Sequence, residues 1–169
     1  TAHFRVKNWD STKNIPYRIR HGEKALFEGV IRKDPINQET IVVGNLSCNS
    51  SRTKGPRPMI IENLKAIDPD MLFFAGDQTY HHTQHTAGWI EFGLQFRDLM
   101  KDRPTVTIPD DHDVGQANLW GESGIVATSP AGNSGGYFYP IPYVNMVQRQ
   151  QTWHLPDPVD PKKVKRGLE

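Results

Sequence analysis

Met71-Leu-Phe-Phe-Ala-Gly-Asp-Gln-Thr-Tyr80 opens as a short apolar run and closes on a carboxylate and a phenol. Apolar runs of this length form buried strands, and α/β sheets hold their ligands just beyond strand ends. A second segment, Val106-Thr-Ile-Pro-Asp-Asp-His-Asp113, has the same design and ends with three acids around a histidine. Two such endings in one chain predict two sides of one site. Oxygen-rich groups with a single histidine suit hard metal ions.

Working outward, Thr40-Ile-Val-Val-Gly-Asn-Leu46 predicts a further strand, followed by a hydroxyl-rich turn at 47–55 that carries Cys48. Residues 57–67 place apolar side chains at 60, 61, 64 and 67, the spacing of one helical face, before Asp68-Pro69 ends the pattern. Residues 86–101 carry Trp89, Ile90, Phe92, Leu94, Phe96 and Leu99, which predicts a well-buried second helix. Residues 105–108 supply a third strand. The order is βαβαβ, an α/β pattern whose right-handed crossovers set three parallel strands side by side. Their C-terminal ends then share one edge, which brings together Cys48, Asp77 with Tyr80, and Asp111 with His112.

The flanks are less regular. His3-Phe-Arg-Val-Lys-Asn8 and Pro16-Tyr-Arg-Ile-Arg20 alternate apolar with polar, as half-buried strands do, with turn residues from Asp10 to Asn14 between them. Residues 1–36 therefore read as the end of a β-domain or an edge hairpin, and residues 37–169 as a second unit. Residues 121–142 are rich in glycine, serine, tyrosine and proline and predict a long loop or lid. Residues 144–152 predict a short polar helix, and the tail from 155 is charged and proline-rich.

Composition narrows the function classes. With 169 residues, one main core is expected. A net charge of +1 gives no electrostatic case for nucleic acid. No apolar stretch approaches the roughly 20 residues of a membrane helix. The lone Cys48 excludes an intramolecular disulfide. The chain carries no signal peptide, and its start at Thr1 reads as an excised or processed end.

Each cluster also has a plainer interpretation. Asp77 can act as a helix cap and Tyr80 as packing. The acids at 110, 111 and 113 can decorate a helix N-terminus. Cys48 can be a small buried hydrophobe. A phenol ligates only a strongly acidic ion such as Fe³⁺, whereas a thiolate is a soft ligand compatible with iron. His81, His82 and His85 do not match a zinc spacing and read as pocket-rim or surface residues. The basic run Pro161-Lys-Lys-Val-Lys-Arg166 reads as a solvated turn.

At Gly-Asp-x-x-Tyr (76–80) and Asp-Asp-His-Asp (110–113), after a Ser-Cys segment at 47–48, the chain resembles the alkaline phosphatase D-like branch of the calcineurin-like metallophosphoesterases. The resemblance spans roughly residues 37–169, and it makes residues 1–36 the end of that family's N-terminal β-sandwich domain. It implies the first half of an αββα sandwich and hydrolysis of phosphomonoesters or phosphodiesters by a metal-activated hydroxide. It further implies Cys48 and Tyr80 as Fe³⁺ ligands, Asp77 as a bridging ligand, and Asp111 facing a second metal such as Ca²⁺ or another divalent ion. His112 would approach the scissile phosphate as the catalytic residue. A small phosphoester substrate and a periplasmic or extracellular home follow from the same resemblance, and oligomeric state does not.

The chain also departs from that pattern. The superfamily completes its two-metal site with later histidines, one in a Gly-Asp-x-His motif, and nothing after residue 113 matches it. His154 stands in Trp-His-Leu-Pro, a poor strand-end context. The expectation is the first part of a longer enzyme, inactive by itself. An inactive metal-binding module and a purely structural domain are the alternatives.

Overall fold

The computed structural model describes residues 2–50, 57–115 and 137–156. The long loop expected at 121–142 falls largely outside these residues, as do most of the turn after Cys48 and the basic run at 161–166.

The described chain is mixed α/β. An antiparallel hairpin of β1 (Ile15–His21) and β2 (Lys24–Ile31) precedes a parallel sheet of β3 (Val43–Leu46), β4 (Met71–Ala75) and β5 (Thr105–Ile108). Helix α1 (Arg57–Ile67) links β3 to β4, and α2 (His85–Met100) links β4 to β5. The strand order is β3-β4-β5, with Leu46 beside Phe74 and Phe74 beside Thr107.

The hairpin corrects the expectation for residues 3–8, which form no strand. The partner of β1 is the segment that follows it. Gly22 turns the chain at φ 59°, a left-handed conformation that suits glycine. On β2, Phe27, Gly29 and Ile31 share the less exposed face, and the Tyr17 ring lies over Gly29 where a side chain would collide with it. A strand with a glycine in its inward row and charges on its outer face gives a weak alternation signal.

One face of the sheet carries the main core. Leu72 and Phe74, alternate residues of β4, pack against Phe92, Phe96 and Leu99 of α2, with Ile61 and Leu64 of α1 beside them. Phe74 meets Phe92 and Phe96 edge-on at ring-centroid distances of 4.8 and 5.1 Å. Burying each such side chain contributes about 1.5–3 kcal/mol. Because a single sheet face is covered, each helix buries one stripe only. Ile60 and Ile67 of α1, and Ile90 and Leu94 of α2, are exposed, contrary to the broader faces expected. The opposite face, with Met71, Phe73 and Ala75 beside Val106 and Ile108, is half-buried.

Helix α3 (Ile141–Thr152) starts three residues earlier than its polar composition suggested and buries Val144, Val147, Gln148 and Gln151. Val144 and Val147 form a second cluster with Val114 and Tyr137. The helix seats against β5, where the Thr107 hydroxyl donates to the Gln151 carbonyl. His154 just beyond it accepts the Thr107 amide at 3.2 Å. No helix among the described residues is long and apolar enough to cross a membrane.

Charges lock the N-terminal edge of the sheet. The buried Arg103 guanidinium donates to the Pro69 carbonyl at 2.7 Å and pairs with Asp102 at 2.8 Å and Asp68 at 3.2 Å. Arg32, just after β2, pairs with Asp68 at 2.8 Å and Asp102 at 2.9 Å. Tyr17 Oη donates to the Lys101 carbonyl at 2.9 Å. The hairpin is thus tied to the edge opposite the acidic clusters.

Candidate metal centre

Three strand ends meet at the other edge, each through a sharp turn. Cys48 after β3, and Gly76 and Asp77 after β4, have φ of 57°, 88° and 58°. Left-handed backbone is uncommon for cysteine and better tolerated by aspartate, and strained backbone of this kind clusters at functional sites. The Cys48 amide donates to the Gly76 carbonyl at 3.3 Å, and the Asn49 amide to the Asp77 carbonyl at 2.8 Å. A side chain on Gly76 would collide with Asp110, so glycine lets the β4 and β5 loops close on each other.

Asp113 fastens those two loops together. Fully buried, it accepts the Asp77 amide at 2.7 Å, the Asp110 amide at 3.0 Å and the Thr79 amide at 3.1 Å. Burial pushes its carboxyl up to about 6, while the amides favour the ionised form. Asp113 has no role that its place in the sequence assigns. Its neighbours made it one more member of an acidic run, and only the apolar Val114 beside it hinted at burial.

Asp77 stands at the centre of the cluster. Its Oδ2 accepts a hydrogen bond from Tyr80 Oη at 2.9 Å and faces Cys48 Sγ at 3.7 Å. Its Oδ1 accepts the His112 amide at 3.2 Å, and that amide also donates to Asp111 Oδ1 at 2.8 Å. One carboxylate oxygen each from Asp77 and Asp111 and one ring nitrogen of His112 lie within 4.8 Å of one another. Burial raises the Asp77 carboxyl, and the Asp111 charge adds to the rise. Burial also drives the Tyr80 phenol upward, followed by its bond to Asp77.

These residues fit a cation. Two ligands of one calcium-sized ion lie at most about 4.6–5.2 Å apart, so the Asp77 and Asp111 oxygens are close enough to share a hard cation, whereas the His112 nitrogen suits a transition ion better. Two adjacent carboxylates away from bulk water repel each other, and a bound cation removes that cost. Cys48 is exposed and Tyr80 half-buried. Both turn toward the Asp77 oxygen on the other side from His112's amide. The five residues singled out in the sequence are therefore gathered around one carboxylate.

The three neighbouring histidines part ways. His81 is exposed and pairs with Glu91 at 3.2 Å. His85 is buried at the start of α2, not on a rim or surface. His82 lies against the site, with Nε2 at 2.9 Å from His112 Nδ1. A polar cleft of about 130 Å³ opens beside Tyr80, lined by Asn49, Arg57, Thr79, His81 and Gln95 among others.

No protein-family model matches the chain, and neither does a curated protein or a solved structure.

Proposed function

We propose that this chain carries the metal-binding core of a phosphoric ester hydrolase of the alkaline phosphatase D-like kind. The observation that carries the reading is the two-sided use of Asp77: Oδ2 toward Tyr80 and Cys48, Oδ1 toward the Asp111–His112 turn. A carboxylate flanked in this way suits a bridging ligand between an iron subsite and a divalent subsite. Cys48 and Tyr80 would hold Fe³⁺, and Asp111 would face Ca²⁺ or another divalent ion. When bound, such ions polarise phosphoryl oxygens and lower the pKa of water. The half-buried second face of the sheet suits the αββα sandwich, whose first half these strands would form.

The chain's own residues divide the remaining work. Asp113 holds the β4 and β5 loops in register. Asp111 and Asp77 fix the His112 backbone by accepting its amide. His112 would then present its imidazole to a phosphoester and give a proton to the departing oxygen. The substrate would be a small phosphoester, and the resemblance would imply a periplasmic or extracellular home.

A second reading, a metal-binding module without turnover, draws on a different observation. The cluster gathers five candidate ligands and catalytic groups, fewer than a two-metal hydrolase ordinarily uses. Metal uptake followed by turnover separates the two. The chain dialysed against Fe³⁺ and Ca²⁺ should retain both, Asp77→Asn should lose both, and Asp111→Asn should lose calcium while keeping iron. Retention of neither ion by the unaltered chain removes the metal-centre reading. With five groups alone, residues 1–169 should turn over a nitrophenyl phosphate negligibly.

A further inference from the structure

We propose that His82 is a positioning residue that sets the tautomer of His112. His82 Nε2 lies 2.9 Å from His112 Nδ1, a hydrogen-bond distance. The two rings are nearly parallel, with centroids 5.1 Å apart and planes at 22°. Tyr80 packs against His112 as well, at 4.2 Å and 34°. The His82 backbone is anchored in turn, because its carbonyl accepts Tyr143 Oη from α3 at 2.8 Å. The His82–His112 contact is thus held from two elements, and its position is fixed by the fold.

The chemistry gives the bond a direction. A histidine that ligates a metal, or delivers a proton from one ring nitrogen, is usually oriented through a bond from the other nitrogen. In the proposed arrangement His112 Nδ1–H donates to His82 Nε2, and the single ring proton of neutral His82 sits on its own Nδ1. His112 Nε2 is then left with a lone pair, ready to take up and pass on a proton. Without His82, neutral His112 reverts toward the Nε2–H form that free imidazole side chains favour, and Nε2 no longer has the lone pair with which to take up the proton it passes on.

The functional consequence rests on the metal-centre reading above, whereas the tautomer does not, so the two can fail separately. Long-range ¹H–¹⁵N spectra of the metal-free chain at neutral pH report the tautomer directly. The expected result is a protonated Nδ1 and an unprotonated Nε2 on His112. That pattern should be lost in His82→Ala and kept in His82→Gln, whose amide oxygen can accept the same bond. An Nε2–H tautomer in the unaltered chain, or an unchanged tautomer in a folded His82→Ala, overturns the proposal. If the unaltered chain binds no calcium but shows the Nδ1–H form, the metal reading fails and the His82 assignment stands.

Discussion

His85 is the first residue of α2, and its imidazole is almost fully enclosed. Burial pushes its pKa down from 6.5 to about 4, so the folded chain keeps it neutral where the unfolded chain takes up a proton. The resulting contribution is fully present above pH 6.5 and is lost as pH falls from 6.5 toward 4, by about 3 kcal/mol at most. Asp113 works in the opposite sense between about 6 and 3.8, because its folded carboxyl binds a proton more readily than the unfolded one. The two slopes offset each other, so the difference between variants is the informative quantity. Urea denaturation at several pH values should show the stability gap between the parent chain and His85→Gln shrinking as pH drops from 6.5 to 4. A constant gap across that range would show that His85 does not titrate differently on folding. None of this was legible in the sequence, where His81, His82 and His85 look alike. What separates them is which helix face or neighbouring strand end each one meets.

At the scale of elements, the β4 and β5 strands were legible because both are short apolar runs with breakers at each end. The α/β order followed from them. The hairpin is harder to place, because His3–Asn8 alternates more cleanly than Lys24–Ile31, the true partner of β1, and the polar composition of α3 conceals its buried face. Gln148 and Gln151 are buried there, and a pattern-based reading counts glutamine as solvent-facing. The elements of the site depend on Asp113, which joins the β4 loop to the β5 loop through three amides. Asparagine has one acceptor oxygen where aspartate has two, and its amide group would point donor to donor at one of those N–H groups. Asp113→Asn should therefore cost about 2–4 kcal/mol in chemical denaturation. A loss below about 0.5 kcal/mol, within the range of ordinary surface changes, would mean that the two loops are held together by other contacts.

For the whole molecule, the sheet separates two charged edges with different tasks. At one, Arg103 and Arg32 neutralise Asp68 and Asp102 and join the hairpin to the α/β unit. At the other, Asp77 and Asp111 have no arginine or lysine among their hydrogen-bond or ion-pair partners within the described residues, and the nearest groups are a phenol, a thiol and imidazoles. Acids left together in this way are what a cation site requires, and the run at 110–113 signalled them in the sequence. The convergence of Cys48 and Tyr80 on one Asp77 oxygen was not legible from spacing, because it depends on left-handed turns at 48 and 77. That convergence is the central claim, and Tyr80 exposes it to a direct test. Its phenol stays protonated in the metal-free chain, so Fe³⁺ must displace the proton to bind. Titration of the chain with Fe³⁺, followed by visible absorption, should produce a tyrosinate-to-iron band that saturates near one iron per chain and is missing in Tyr80→Phe. A parent chain with no band, or a band that persists unchanged in Tyr80→Phe, would contradict the account.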